Sequence, residues 1–429
     1  MLFKDTTDAG LIDRFQLGAF RYFMRYTHPE TGLVADSSQE GSPASIAATG
    51  FGLSALPVGV ERDWLSREDA AQRALTTLRF LRDSEQSRDT LATGYKGLYY
   101  HFLDMKTGRR AWRSEISLID SALLIAGAIT VGTYFSENTP AEKEIRDIAD
   151  MIYARANWAW ALDEQDTLAL GWKPRSGFLP YRWHGYSEAV ILYTLALSSP
   201  SYPIPAKSYL AFGNQCDWKE ALGKPFLYAG PLFIHLFSHA WIDFRGIRDT
   251  AMAEHDSDYF ENTRFAIDLQ RDYAERNPHS FVGYGADCWG LTACDGPERS
   301  RRLRDGRQQQ FSGYAARGAP FGPDDGTLAP WAPLSCLPFD EKAALSATRH
   351  ILETYPGVVE EDGFIGSFNP SVPARTAEGW MNTRRIGLDQ GILLMMIENH
   401  RTGFFWNLLR QSVPIRRGLK RAGFAGGWL

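Results

Sequence analysis

A chain of 429 residues with 46 Lys and Arg against 51 Asp and Glu carries a formal net charge of -5, which excludes the broad basic field of a nucleic-acid-binding protein. Hydrophobic residues at 44% and charged residues at 23% exclude wholesale disorder. The unusual feature is aromatic: 13 Trp, 18 Tyr and 25 Phe, many beside Gly, Pro and charged residues rather than inside apolar runs.

Periodicity predicts about twelve helices, near 10–26, 44–57, 66–83, 115–134, 140–156, 186–198, 230–240, 256–276, 328–336, 340–355, 388–399 and 402–411. At the start of the chain, Asp5, Asp8 and Asp13 exclude an apolar leader. The expected compartment is the cytoplasm, or the periplasm or medium if a leader was removed. Some helices are amphipathic, such as 66–83, where Ala71, Ala74, Leu75, Leu78 and Leu81 form one stripe. Others, Glu115–Gly132, Glu188–Ser198 and Leu388–Asn399, are apolar nearly all round and must be buried among other helices. The charge-free run Ser121–Ser136 is too short to span a bilayer, so no membrane span is expected. Glu298–Arg307 reads as a basic surface loop, and 410–429 as a basic, Gly-rich terminal extension. Cys216, Cys288, Cys294 and Cys336 do not make a disulfide scaffold, and a Cys288–Cys294 pair stays open. Strand alternation is scarce. Buried helices alternating with amphipathic ones fit two concentric rings within one all-α domain, 1–429, whose loops converge on one face.

Carboxylates at the entrances of the buried helices are the first candidates for chemistry. Glu115 stands in Trp112-Arg-Ser-Glu-Ile-Ser, Asp120 follows within a Ser-x-x-Asp capping pattern, Glu188 opens one buried helix and Asp389 another. Helix capping alone favours acids at such places. Two carboxyl groups across a cleft are also what glycosidic bond cleavage needs. Loops rich in aromatics lead into the same helices. They carry Tyr99, His101, Asp104, Trp112, Trp172, Trp183, His184, Tyr186, Trp289, Asp325, Trp331 and Trp380 as candidate sugar-binding residues, because an amphipathic ring stacks on a sugar face while its edge stays polar. His235 and His239 have metal-pair spacing but lack the acid of a zinc-protease helix. There is no phosphate loop, dinucleotide fingerprint or Gly-x-Ser-x-Gly elbow, so neither a cofactor nor a metal is expected.

Seven stretches in order resemble the bacterial glucoamylase-like family and, within it, the β-1,2-glucanases of glycoside hydrolase family 144. They are Ala48-Thr-Gly-Phe-Gly-Leu, Gly97-Leu-Tyr-Tyr-His-Phe-Leu-Asp, Glu115-Ile-Ser-Leu-Ile-Asp-Ser-Ala-Leu-Leu, Gly185-Tyr-Ser-Glu-Ala, Trp289-Gly-Leu-Thr-Ala, Asp325-Gly-Thr-Leu-Ala-Pro and Asp389-Gln-Gly. The resemblance implies an (α/α)6 toroid, action on β-1,2-linked glucose, and catalytic carboxylates at Glu115 and Glu188. Ser121 departs from the Thr common in relatives, and the basic segment at 299–307 has no counterpart. Related domains of cyclic glucan synthases transfer glycosyl groups with very similar motifs.

The reading is an inverting, endo-acting glycoside hydrolase on an oligo- or polysaccharide of β-1,2-linked glucose. Glu115 or Glu188 donates the proton and the other helps activate water, with Asp120, Asp104 and Asp389 orienting water or hydroxyls. His101 and His184 are hydroxyl partners. The alternatives are a β-1,2-glucan transglycosylase, a polysaccharide lyase and a non-catalytic glucan-binding protein; oligomeric state is not readable from the sequence.

Overall fold

Capping residues set where many of the helices begin. Thr7, Ser45, Ser66, Ser117 and Thr139 each accept a backbone N–H with the side-chain oxygen, satisfying a donor the first turn leaves free. The helices they open are α1 (Asp8–Arg25), α2 (Ile46–Glu61), α3 (Arg67–Asp83), α4 (Leu118–Tyr134) and α5 (Pro140–Arg155). There follow α6 (Val190–Ser198), α7 (Lys207–Gly213), α8 (Leu232–Trp241), α9 (Thr250–Glu254) and α10 (Tyr259–Arg276). The last five are α11 (Ala332–Ser335), α12 (Glu341–Thr354), α13 (Gly387–Thr402), α14 (Phe404–Leu409) and α15 (Val413–Arg421). This computed structural model describes residues 7–304, 307–361 and 363–429. The leader argument at Asp5 and two residues of the basic segment, 305 and 306, therefore lie outside the described residues.

The protein is mostly helical, and each of the twelve expected helices has a counterpart. Some entrances shift. The helices expected from 115 and 186 begin at Leu118 and Val190, so Glu115 and Glu188 precede their helices rather than open them. The strands are two to five residues long and join in pairs or threes. One such pair is the basic segment, where Ser300–Arg304 runs antiparallel to Arg307–Phe311.

Helices apolar on every side form the interior. α2 packs on α4, α4 on α6, α6 on α8, α8 on α11, α11 on α13, and α13 returns to α2. Amphipathic helices cover them: α3 lies on α2, α5 on α4, α15 on α6, α10 on α8, α12 on α11 and α1 on α13. The terminal stretch 410–429 thus contributes α15 to this cover. Gly418 permits its approach, since a Cβ there would lie 2.0 Å from the carbonyl oxygen of Thr194. Trp428 donates its indole N–H to Asp243 O at 2.7 Å and fastens the end of the chain.

Small residues set the spacing of α2. A Cβ on Gly50 would lie 2.3 Å from Leu123 O, and one on Gly127 would lie 2.2 Å from Gly50 O. On the neighbouring face, a Cβ on Gly391 of α13 would meet the Phe51 ring at 2.3 Å. Backbone cannot yield as a flexible side chain does, so these crossings are close because glycine is there. Among the described residues no helix is long and apolar enough to cross a membrane.

Replacing Gly50 with Ala is expected to lower unfolding free energy by ~3 kcal/mol, the upper range for overpacking a close-packed core. Urea denaturation measures it; a variant as stable as the parent means that α2 and α4 do not depend on this approach.

Candidate active site

Three connections bring distant segments to the entrance face of the buried helices. Ala44–Ser45, just before α2, pairs with Phe102–Leu103. His101 N–H donates to Glu115 O at 2.9 Å, and Ile46 N–H donates to His101 O at 3.1 Å. Gly387, at the start of α13, donates its N–H to Asp36 O at 2.8 Å. The last bond supplies an acceptor to a helix that has no side-chain cap.

These segments surround a cavity of about 470 Å³. Five carboxyl groups line it: Asp36, Asp120, Glu188, Asp295 and Asp389. His101, Asn382, Phe102, Phe233, Tyr314 and Trp331 line it as well. Ile119, Leu123, Phe237 and Leu388 supply apolar wall.

Ser117 caps α4 by accepting the Asp120 N–H at 3.3 Å, leaving the Asp120 carboxylate to face His101, whose Nε2 is 3.5 Å from Oδ2. The other ring nitrogen, Nδ1, is 3.1 Å from Glu115 Oε1. Burial opposes charge on this imidazole, yet Asp120 and the hydrogen bond to Glu115 outweigh it, with Asp36 adding to them, and lift its pKa to about 9. The same bond to His101 holds the Glu115 carboxyl below its usual range. His101 is therefore cationic at neutral pH, between two carboxylates.

The remaining acids shift the other way. Glu188 retains partial exposure to the cavity, and burial followed by repulsion from Asp120 raises its pKa to about 7. Asp36 is raised to about 6, by burial first, against the pull of His101 and with repulsion from Asp120 and Asp295. Asp389 is pushed well above the usual carboxylate range by burial, Asp36 and Asp295. Asp295 has a cation of its own, Arg384 at 2.7 Å, and also accepts from Asn382 Nδ2 at 3.3 Å. Arg384 in turn donates to Gln39 Oε1 at 3.1 Å.

Of the residues expected from sequence, Asp120, Glu188, Asp389, His101 and Trp331 meet at the cavity. Glu115 stands behind His101. Trp112 is exposed, with a left-handed backbone at φ 52°, and its ring lies 4.8 Å from that of Phe102, which stacks on His101 at 4.0 Å. The others sit elsewhere. Tyr99 is buried and donates to Leu81 O; Trp172 is buried against Tyr95, with ring centroids 5.0 Å apart; Trp289 is buried in the core. These rings fill space beneath the loops. Asp104 accepts from Lys106 N, Thr107 N and Thr107 Oγ1 in an exposed turn. Asp325 is consumed by Arg317, at 2.6 Å. Tyr186 leans on His235, its hydroxyl 3.3 Å from Nδ1, and Trp183 offers its carbonyl to Tyr193. His184 is exposed, and Trp380 packs beside Phe281, Phe311 and Val372. His235 and His239 are buried and turn Nε2 toward the carbonyls of Ala229 and Tyr259, so neither points at the other. All four cysteines are free thiols.

Among the cavity residues the sequence left out are Asp36, Asp295 and Tyr314. Asp295 adjoins the Trp289–Ala293 motif and was visible by position. Nothing local marks Asp36 or Tyr314.

Known proteins resemble this chain along almost its whole length. Residues 180–413 match the Glycoamylase family model, a glucoamylase-like family. A solved structure from Bacteroides uniformis is 31% identical with a TM-score of 0.87, covering 99% of this chain and 100% of its own. An endo-β-1,2-glucanase from Chitinophaga pinensis, solved with sophorotriose and glucose, is 25% identical with a TM-score of 0.86, covering 99% and 100%. A curated exo-β-1,2-glucooligosaccharide sophorohydrolase (non-reducing end) from Parabacteroides distasonis is 27% identical across 97% of this chain. The chain belongs to the Glycoamylase family. It spans 58% of the length of that sophorohydrolase.

The charge on His101 generates a pH test. Its folded pKa exceeds the value of about 6.5 for an unperturbed imidazole, so its contribution to stability is complete below about pH 6.5 and is lost as pH rises through about 9. The imidazole resonances of His101 are expected to titrate near 9 in NMR, and His101→Gln to remove that loss of stability. A midpoint below neutrality contradicts the Glu115–His101–Asp120 arrangement.

Proposed function

We propose that this chain is a glycoside hydrolase that cleaves β-1,2-linked glucose polymers within one catalytic domain, an (α/α)6 toroid. The closed order of α2, α4, α6, α8, α11 and α13, each with an amphipathic cover helix, supports the toroid. The named activities of the Chitinophaga and Parabacteroides relatives support the substrate class. The observation that carries the chemistry is Glu188, a cavity carboxyl whose pKa of about 7 keeps a proton available near neutrality.

In this reaction Glu188 donates its proton to the glycosidic oxygen as the bond from that oxygen to the anomeric carbon breaks. A water attacks the same carbon from the opposite face and gives up a proton, inverting the configuration. Asp36 takes that proton. With a pKa of about 6 it is ionised at pH 7 while remaining more basic than an exposed aspartate. Burial first, and then repulsion from Asp120 beside His101, sustains the Glu188 proton. Glu115 acts through His101 as a positioning residue. Cleavage inside the polymer is the mode we favour, as named for the endo-acting Chitinophaga relative.

Incubation with β-1,2-glucan is expected to yield new reducing ends and a spread of oligosaccharide lengths. Its kcat/KM should follow a narrow bell with limbs near 6 and 7, set by Asp36 and Glu188. Glu188→Gln should reduce kcat by about 10²–10⁴-fold, the usual contribution of a positioned general acid. Sophorose as sole product points to chain-end action instead. Redistributed chain lengths without new reducing ends indicate transglycosylation, and an unchanged rate in the Gln variant removes Glu188 from the acid role.

A further inference from the structure

Most of the aromatic surplus is buried, but one exposed ring borders the cavity on an unusually well-fixed turn. Tyr314 lies in Phe311-Ser-Gly-Tyr-Ala315, between the basic hairpin and the short strand Ala315–Ala316. That strand pairs with Ala293–Cys294, and all of Ala293, Cys294 and Tyr314 line the cavity. The residue is 72% exposed overall. Tyr314 thus lines the cavity mouth while most of its ring stays open to solvent.

Beneath the turn sits Arg317, fully buried. Its Nε and Nη2 grip Asp325 in a two-pronged pair at 2.6 and 2.8 Å. Nη1 donates to Cys294 O at 2.6 Å and Ala315 O at 3.3 Å; Nη2 donates to Ser312 O at 3.2 Å and Gly313 O at 2.9 Å. Asp325 completes the bracket by accepting the Ser312 N–H at 2.9 Å. Gly296 leaves room for the guanidinium, since a Cβ there would fall 2.1 Å from Nη2. A buried ion pair costs desolvation and is weak as a source of stability, but it fixes geometry when every donor finds an acceptor. Here it fixes both residues that flank Tyr314, from the carbonyls at 312, 313 and 315.

We propose that Tyr314 is a substrate-binding residue: its ring is the platform for one glucosyl unit at the cavity mouth, and the Arg317–Asp325 pair holds the platform in place. The proposal rests on the glucan-hydrolase reading. A rigidly held aromatic ring offers a pyranose its apolar face at little entropic cost, since the turn is ordered before the sugar arrives. Arg317 and Asp325 touch no substrate; they are positioning residues. This also gives Asp325 a role in the site different from sugar contact.

The test compares wild type, Tyr314→Ala and Tyr314→Phe in steady-state kinetics on β-1,2-glucan. It adds calorimetric binding of β-1,2-, β-1,3-, β-1,4- and α-1,4-linked glucose oligosaccharides. Tyr314→Ala is expected to raise KM about tenfold, equal to ~1.4 kcal/mol, with kcat nearly unchanged. Tyr314→Phe keeps the ring and should restore KM to within about twofold of wild type. An unchanged KM in the Ala variant, or a loss of kcat alone, overturns the platform. Binding of a different linkage that Tyr314→Ala weakens supports the platform and overturns the β-1,2 reading. If no sugar binds wild type, both fall.

Discussion

Crowding of carboxyl groups around one partly buried cavity is the constraint from which the chemistry follows. Five acids share the lining, and within that lining His101 is the one basic side chain, with Arg384 reaching Asp295 from its edge. An ionised carboxylate removed from water must find a cation, several donors or a proton. Asp295 takes Arg384, and Asp120 with Glu115 takes His101. Among the described residues no such cation pairs with Glu188 or Asp389, and burial with neighbouring acids drives them toward the protonated form. The separation between a proton-holding Glu188 and an ionised, still basic Asp36 is thus a property of the whole group. Glycosidic cleavage needs that division of roles between two acids.

The fold makes such crowding possible. Helices apolar on every side meet closely because glycines at 50, 127 and 391 stand where a Cβ would strike backbone or a ring. Close packing over their length leaves polar groups to gather at the ends, and the entrances of α4, α6, α8, α11 and α13 all contribute lining residues. Loops that pair across long sequence separations, such as 36 with 387 and 44–45 with 102–103, then fix which acids face inward. Rigidity under the site comes from backbone hydrogen bonds and the Arg317–Asp325 bracket, while the Trp112 and Tyr314 rings stay exposed.

Helix positions were legible in the sequence because the 3.6-residue period and the all-apolar segments are local signals. What escaped were α7 and α9, both shorter than two and a half turns, and α15, whose Arg416, Arg417, Lys420 and Arg421 masked its apolar face of Ile415 and Leu419. The acids at 120, 188 and 389 were legible for a similar reason: each lies beside a buried helix start. Asp36 was not, because its place depends on a bond to Gly387 some 350 residues away. The aromatic surplus misled in part. Tyr99, Trp172 and Trp289 have the loop context of sugar platforms, but their size suits them equally to filling space beneath loops, and that is where they lie. Trp112 and Tyr314, by contrast, are the rings left exposed near the cavity.

The central claim is that burial, helped by the Asp120 charge, holds a proton on Glu188 near neutral pH. Carbon-13 NMR of the Glu188 carboxyl, assigned through Glu188→Gln, measures this in wild type and in Asp120→Asn. The account predicts a wild-type midpoint near 7 that falls when the Asp120 charge is removed. A wild-type midpoint in the ordinary glutamate range, about 4.3, or one that Asp120→Asn leaves in place, would contradict it.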